Sequence, residues 1–417
     1  MPKSLAPSEL PGLLRPGLCV YAPGLAGESA LIVDALRSQP EASAGVRYLG
    51  VWLPGINRVD YAGLHPDARS TAFFVYPNLR DSFAGGRVDF LPLSYFSVYA
   101  YLRDRATIDI ALLHVSPPGE DSLCSVGVAN DFTAAILPKA RVKVAHVNPC
   151  MPRTRGAATV AFDDLDYVIE EHHPLLSDEP GSDPDFDAIG RHIGDVLPDG
   201  ATLEVGVGRV QNVFAAFTSK RNLKLHTGAI TTPVLSLAEA GAIAERADAI
   251  TTGVALGDNA FYDFVADNPL VRFAPVGWTH DIATLRAIER FVAINSVIEV
   301  DLLGQANAEM VGGRQVSSAG GITDFMRGAR LSPGGFAVVA LPSTARAGTV
   351  SRIVPTLADG SAISVARGDM ELVVTEHGVA DLRNTSIDAR AEALIAVAAP
   401  QFRDGLSASW HERRKRT

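Results

Sequence analysis

Glycine and small polar residues concentrate in one segment of the sequence, Asn295–Pro355. Tight turns in such a segment expose backbone N–H groups, which can bind phosphate or stabilise an oxyanion. Alternatively, the glycines serve only to form turns. The positions concerned are Gly304, Gly312, Gly313, Gly320, Gly321, Gly328, Gly334 and Gly335. The segment is therefore a candidate site for anionic groups.

Other chemical motifs are weak or missing. The sequence contains no P-loop, no metal-binding HExxH and no GxSxG nucleophile pattern. Gly206-Val207-Gly208 is followed by Gln211 where a dinucleotide-binding fingerprint needs glycine or alanine. The run Glu170–His173 holds two acids and two histidines, but adjacent side chains do not converge on one point. We therefore predict no metal site and assign this run a solvated or hydrogen-bonding role.

The elements that would position these turns follow an alternating pattern of short apolar runs and amphipathic stretches. This alternation is typical of α/β folds with mostly parallel sheets flanked by helices. The predicted strands are Leu18–Ala22, Ile108–Val115, Val142–Val147, Tyr167–Ile169, Thr202–Val205, Leu223–His226, Ile298–Asp301, Phe336–Leu341 and Leu372–Val374. The predicted helices include Ser29–Arg37, Phe186–Val196 and Ile282–Val292.

Two α/β domains are expected, with the boundary near residue 180. The segment Leu176–Asp185 is polar, contains proline and glycine, and is typical of a linker. It separates an N-terminal domain, residues 1–180, from a C-terminal domain, residues 181–417, that carries the glycine-rich turns. Both pieces open alike: a turn glycine (Gly17, Gly200) precedes a short strand, a glycine-containing loop and a helical pattern. This similarity hints at a duplicated α/β unit.

Composition excludes several classes of protein. The chain has 417 residues, 47% of them hydrophobic and 20% charged, which is ordinary for a soluble globular protein. A net charge of −10 argues against nucleic-acid or anionic-membrane partners. Three cysteines form no disulfide framework, and the N-terminal residues lack the apolar core of a signal peptide. We therefore expect a cytoplasmic protein.

Ordered blocks along nearly the whole chain resemble the acetyl-CoA hydrolase/transferase family, which includes 4-hydroxybutyrate and acetate CoA-transferases. In the second half they are Asn295–Gln305, Gly320–Phe325 with Gly328-Ala329, Gly334-Gly335, Leu341–Thr344, Ser351–Pro355, Val373–Ile395 and Pro400–Arg403. In the first half they are Val115–Pro118, Ser125–Val128 and Val147–Gly156. The resemblance implies a class I CoA-transferase fold of two α/β domains. It also implies coenzyme A or acyl-CoA and a small acceptor as substrates, and no metal. We also expect a homo-oligomer.

The family mechanism depends on a glutamate. Its carboxylate attacks acyl-CoA and then carries CoA as a glutamyl thioester, from which a second carboxylic acid collects the CoA. By resemblance, the glutamate position in this chain is Gly228, which has no attacking side chain. The resemblance also places an oxyanion hole at Val207, Gly208 and Gly320, and places His226 beside the glutamate position.

CoA is expected mainly on the second domain, between the two domains. By resemblance and by charge, the residues proposed to hold it are Gly321, Asp324, Phe325, Arg327, Gly328, Ala329, Thr344 and Arg346, and Arg330 and Arg352 offer further positive charge for the CoA phosphates. Ligands of open α/β sheets gather beyond the carboxyl ends of strands, where such loops meet.

The missing glutamate leaves three hypotheses. In the first, water or a bound acceptor attacks the thioester directly, helped by the oxyanion hole. In the second, an orthodox CoA-transferase takes its nucleophile from elsewhere, and in the third the chain binds acyl-CoA without catalysis. Cys150 is a candidate substitute nucleophile and His226 a candidate general base, although each is a minor alternative to a structural role.

Overall fold

The structure is a computed structural model that describes residues 1–177, 181 and 183–415. Within these residues the backbone forms two eight-stranded sheets. The predicted boundary at residue 180 and part of the predicted linker lie outside the described residues. The predicted fold class, α/β with mostly parallel sheets and flanking helices, is confirmed.

The strands of the two sheets are numbered here in chain order. The first sheet contains β1 (Lys3–Ser4), β2 (Cys19–Tyr21), β3 (Arg47–Gly50), β4 (Arg69–Ala72), β5 (Val88–Phe90), β6 (Ile110–Val115), β7 (Val142–Val147) and β8 (Tyr167–Glu170). The second contains β9 (Thr202–Val205), β10 (Lys224–Thr231), β11 (Ile250–Leu256), β12 (Val271–Phe273), β13 (Phe291–Asn295), β14 (Phe336–Ala340), β15 (Leu372–Thr375) and β16 (Gly378–Asp381).

Helices cover both sheets. They are α1 (Ala30–Ser38), α2 (Arg80–Ala84), α3 (Tyr95–Asp104), α4 (Thr133–Ile136), α5 (Pro184–Val196), α6 (Val234–Glu239), α7 (Asn259–Val265), α8 (Val276–Thr279), α9 (Ile282–Arg286), α10 (Ile322–Leu331), α11 (Ile387–Ala396) and α12 (Pro400–Arg414). The 3-10 helix Arg209–Phe217 follows β9, and a small sheet includes Glu299–Asp301. Strands such as β6, β13 and β14 are buried along their whole length because helices pack on both faces.

The two sheets have matching topologies. The first runs β1-β8-β7-β6-β2-β3-β4-β5 and the second β12-β11-β10-β9-β13-β14-β15-β16. In each, one strand (β2 or β9) lies inside the sheet, the next three strands in the chain continue to one side, and the strands after those extend the other side. The first sheet has one addition, because β1 pairs at its outer edge with β8. Gly17 N donates to Gly45 O (2.8 Å) and Gly200 N to Arg221 O (2.9 Å), so each opening turn is tied to the residues before the next strand. These equivalences support the duplicated unit.

Backbone hydrogen bonds join the two halves. Asn130 N donates to Gly253 O, and Val276 N donates to Asp131 O, each at 2.9 Å. A third bond between the halves runs from Tyr95 N to Gly320 O at 3.0 Å. These bonds hold the first half against β11, α8 and the turn before α10.

Each predicted strand overlaps an observed strand, and most ends differ by two residues or fewer. The exception is β10, which was predicted to end at His226 and continues to Thr231. The prediction for Ile282–Val292 is wrong in its second part, because α9 ends at Arg286 and β13 begins at Phe291. The run Phe291–Asn295 pairs in parallel with both β9 and β14. Its aromatic and β-branched residues are buried on both faces, which favours a central strand over a surface helix.

Candidate active site

A cleft of about 610 Å³ lies between the halves, at the carboxyl ends of β9 and β13 and beside β10. This is where ligands of open α/β sheets commonly bind. Its lining from the second half includes Glu204, Gly206, Val207, Gly208, Thr227, Gly228, His280, Asn295, Gly320, Gly321 and Phe325. Leu53, Ile56, Phe74, Tyr95 and Asp131 contribute from the first half.

The turn Gly206-Val207-Gly208 connects β9 to the following 3-10 helix. Gly208 has φ 101° and ψ −154°, a backbone region that is essentially restricted to glycine. A side-chain carbon on Gly206 would lie 2.8 Å from Asn295 Oδ1, so this residue must also be small. The sequence thus allows bare backbone to approach a bound group at the edge of the sheet.

The second glycine turn, Gly320-Gly321, precedes α10. Gly320 has φ 57°, and the N-terminus of α10 has no side-chain cap. Helix N-termini carry partial positive charge and open N–H groups, which suit negative charge. The structure therefore brings three predicted oxyanion-hole residues, Val207, Gly208 and Gly320, into one cleft.

Gly228 lies within β10, not after the strand as the sequence indicated. The strand continues to Thr231 because Ala229–Thr231 pair with Val254–Leu256 of β11. A Cβ at position 228 would lie 3.1 Å from His280 Cε1 and 3.3 Å from His280 Nε2. The φ of Gly228 is not left-handed, so the limit on a larger residue comes from a neighbouring side chain.

His280 is a site residue that sequence reasoning missed. It is buried beside Gly228, and its ring lies against Tyr95 and Phe325, with ring centroids 5.1 and 4.3 Å away. No local motif marks this histidine, since packing of α8 against β10 is what brings it to the cleft.

Two acids also line the cleft, Asp131 and Glu204. Burial raises the pKa of Asp131 to about 7 and that of Glu204 to about 8. Asn295 Nδ2 donates to Glu204 Oε2 at 2.6 Å. The only signal for Glu204 in the sequence is a single acid on a buried strand directly before the glycine turn, and this signal was missed.

Glu204→Gln is expected to stabilise the protein more at about pH 9 than at about pH 5. In the folded state the pKa of Glu204 is raised to about 8. At any pH between the ordinary pKa of glutamate and about 8, folded Glu204 is protonated while unfolded Glu204 is ionised. Stability therefore falls as pH rises through that window, by about 1.4 kcal/mol for each pH unit. Glutamine can still accept from Asn295 but cannot ionise. Thermal unfolding checks this, with exposed Glu245→Gln as control; a change of equal size at both pH values would contradict it.

Only some of the predicted CoA-binding residues line the cleft. Gly321 and Phe325 line the cleft. Asp324 instead accepts from Phe96 N at 3.1 Å, which links the halves. Gly328 and Ala329 are packed inside α10, where a Cβ on Gly328 would lie 2.5 Å from Leu285.

Of the four arginines predicted to bind the CoA phosphates, two lie away from the cleft and two line a second cavity. Arg327 and Arg330 pair with Asp369, at 3.0 and 2.7 Å, away from the cleft. Thr344, Arg346 and Arg352 line a second cavity of about 590 Å³. The two cavities share Val207, Arg209 and Ser296, so they adjoin.

The remaining candidates lie outside the lining of the first cleft. His226 is buried, and its Nε2 donates to Thr279 O at 3.0 Å. Cys150 Sγ lies 3.2 Å from His172 Nε2, and Asn148 Nδ2 donates to His173 O at 2.7 Å.

In the described part of the chain, no group of three or more His, Cys, Asp or Glu side chains is placed to hold a metal ion. Among those same residues, no helix is long and apolar enough to cross a membrane.

Family models match both halves of the chain. The acetyl-CoA hydrolase/transferase N-terminal domain matches residues 2–176 and the C-terminal domain matches residues 257–410. The 4-hydroxybutyrate coenzyme A transferase of Clostridium kluyveri is 36% identical over 395 residues, which is 93% of this chain and 92% of that protein.

Solved structures of two other proteins are similar to this chain over almost its whole length. RipA from Yersinia pestis has a TM-score of 0.90 at 28% identity, covering 99% of this chain and 98% of that chain. A 4-hydroxybutyrate CoA-transferase from Porphyromonas gingivalis has a TM-score of 0.80 at 29% identity, covering 100% and 98%. The resemblance seen in the sequence is thus confirmed: the chain belongs to the acetyl-CoA hydrolase/transferase family and is an enzyme of that family.

Proposed function

We propose that the cleft cleaves acyl-CoA thioesters by direct attack of water or a small bound acceptor on the thioester carbonyl, without an enzyme-bound CoA intermediate. The observation that carries this proposal is the surroundings of Gly228. Two glycine turns line the cleft that contains it, and position 228 itself supplies no carboxylate. Backbone donors that meet a developing oxyanion lower the barrier whichever nucleophile attacks.

The two acids of the cleft are poor replacements for the glutamate. Glu204 has its pKa raised to about 8 and is held by Asn295, so at neutral pH its carboxyl group is mostly protonated. Asp131 is buried as well, with Oδ1 accepting from Phe132 N at 2.8 Å. A protonated or backbone-bound carboxyl is a weak nucleophile. These features favour direct attack over an orthodox transferase with a displaced nucleophile.

We place the CoA phosphates in the second cavity and the thioester in the first. The second cavity carries Arg209, Arg346 and Arg352, and Arg352 Nε is buried with no hydrogen-bond partner among the described residues. An unpaired buried guanidinium donor suits a phosphate oxygen. Because the cavities adjoin at Val207, one extended molecule can reach from the arginines to Gly228.

Arg352→Ala is expected to weaken CoA binding by about 10- to 100-fold, since a hydrogen bond to a charged group contributes about 1.5–3 kcal/mol. Titration calorimetry with CoA measures the change. The control is Arg327→Ala, which removes an exposed arginine that pairs with Asp369 outside both cavities. Equal affinities of the two variants would contradict this placement of CoA.

The activity itself is tested by mixing the purified protein with several acyl-CoA thioesters and following free thiol. Steady release without a carboxylate acceptor is the expected result. Conversion of an added carboxylic acid into its own CoA thioester, without free thiol, would favour an orthodox transferase. Binding of acyl-CoA with neither thiol release nor transfer of CoA to an added acid, across acyl chains and acceptors, would show a non-catalytic binding protein.

We also propose that the chain divides into domains near residue 180. The division is supported by the separation of the two sheets in sequence, because β8 ends at Glu170 and β9 begins at Thr202. The cleft would then be an interdomain site.

A further inference from the structure

A histidine side chain occupies the space beside Gly228. His280 Nε2 lies 3.3 Å from where a Cβ on Gly228 would stand and 2.7 Å from where one on Gly321 would stand. Both residues are glycine, and both line the cleft together with the histidine. A larger residue at position 321 would collide with this nitrogen. The two glycines therefore leave His280 Nε2 room beside the reacting region.

The hydrogen bonds of the ring define which nitrogen is free. His280 Nδ1 lies 2.9 Å from Thr279 Oγ1, and the Thr279 hydroxyl donates to Pro275 O at 3.4 Å. In the tautomer that a base role requires, the hydroxyl proton is directed to that carbonyl, Nδ1–H donates to Oγ1 and Nε2 carries the lone pair. Nε2 has no hydrogen-bond partner among the described side chains and backbone groups.

Packing fixes the direction of the ring. Tyr95 from the first half stacks on it with an interplanar angle of 25°, and Phe325 of α10 packs against it. His280 N donates to Val276 O at 3.0 Å, which holds the backbone at the end of α8. The ring is thus held between the two halves by groups that do not bind Nε2.

We propose that His280 is the general base of this site and takes a proton through Nε2 from the water that attacks the thioester. The inference rests on the proposed function and names the nucleophile as water. It differs from the role considered for His226, whose Nε2 is engaged by Thr279 O.

The reaction balances with groups already present. A water O–H bond breaks as its proton passes to Nε2, and the oxygen forms a bond to the thioester carbonyl carbon. The carbonyl electron pair moves to oxygen, giving an oxyanion near the amides of the two glycine turns. When it collapses, the carbon–sulfur bond breaks, the CoA sulfur receives the proton from Nε2, and a carboxylic acid and free CoA leave. His280 returns to its neutral form.

The protonation state agrees with this role. Burial lowers the pKa of His280 to about 3, so at neutral pH the imidazole is neutral with its lone pair available, but Nε2 is a weak base. A hydroxyl, not a carboxylate, orients the ring, so no buried negative charge partners the imidazolium. We therefore expect a contribution toward the lower end of the about 10²- to 10⁴-fold typical of general bases.

The test uses His280→Gln and His280→Ala, with His114→Gln as the control because His114 is an equally buried histidine in the first sheet. Steady thiol release from acyl-CoA and acyl-CoA affinity are measured for each. We expect His280→Gln to lose about 100-fold in rate with little change in affinity. We also expect added imidazole to restore part of the activity of His280→Ala, a rescue that a merely structural role would not give.

The possible results distinguish the base role of His280 from the proposed cleavage of acyl-CoA. If the unaltered protein releases thiol and His280→Gln stays within about threefold of it, the base assignment is overturned and direct cleavage stands. A protein acylated on His280 would also overturn the base role. If the unaltered protein releases no thiol from any acyl-CoA, the proposed function fails, and the inference fails with it. If His280→Ala does not fold, the rate of thiol release by His280→Gln, which fills the space better, tests the base role.

Discussion

Gly208→Ala is expected to reduce thiol release about 100-fold or more, because loss of one oxyanion donor commonly has an effect of that size. The backbone at Gly208, with φ 101° and ψ −154°, is strained for any residue with a Cβ. Alanine would make the turn relax and would turn the amides of Val207 and Gly208 away from the cleft. A Cβ at this position meets no atom within 4 Å, so the effect would come from backbone direction and not from a clash.

Gly360→Ala is the matched control for this change. Gly360 also has a positive φ, 78°, with no atom within 4 Å of an added Cβ, and it lies outside both cavities. Both variants are expected to lose similar stability, of about 1–3 kcal/mol, as thermal unfolding would measure. If Gly208→Ala loses no more activity than Gly360→Ala, the turn does not form part of the oxyanion hole.

Restoring a glutamate is expected to change the chemistry only when space is made for it. In Gly228→Glu the new Cβ would stand 3.1 Å from His280 Cε1, so the ring must shift by about a few tenths of an ångström. This single variant should lose most hydrolysis, about 100-fold or more, because the proposed base is displaced. The double variant Gly228→Glu/His280→Ala removes this close contact and should form a CoA thioester on the new glutamate.

Intact-protein mass after incubation with acyl-CoA, followed by borohydride trapping and peptide mapping, detects this thioester. Adduct on residue 228 in the double variant, and none in the unaltered protein, is the expected pattern. The double variant with glutamine in place of glutamate is the control, since an amide cannot form the thioester. Full hydrolytic activity in Gly228→Glu would show that position 228 lies away from the reacting atoms.

Much of the fold was predictable from local patterns. Apolar strands such as β7 and β9 were located at their observed bounds, because each is a short apolar run limited by turn residues. Strands β3 and β4 were missed, since Arg47–Gly50 and Arg69–Ala72 begin with arginine and contain small or polar residues. Such strands are defined by their neighbours in the sheet and not by their own pattern.

The sequence predicted the part of the candidate site that is formed by backbone groups in glycine turns. The turns at Gly208 and Gly320 are visible in the sequence because positive φ requires glycine, and the structure places both in one cleft. His280 and Glu204 could not be identified in the same way. His280 is a single histidine without a motif, and Glu204 is marked only by its place before the glycine turn. Packing of separate segments brings both into the cleft with Gly228.

The most direct test of the account is a single turnover of acyl-CoA in ¹⁸O-labelled water, with the unaltered enzyme in excess, and mass analysis of both the released acid and the protein. Direct attack by water predicts one ¹⁸O atom in the released acid and none in the protein. An enzyme carboxylate acting as nucleophile would give its own unlabelled oxygen to the acid and would itself become labelled when water cleaves its CoA thioester. Unlabelled acid together with a labelled Asp or Glu would contradict the proposal that this site works without a covalent intermediate.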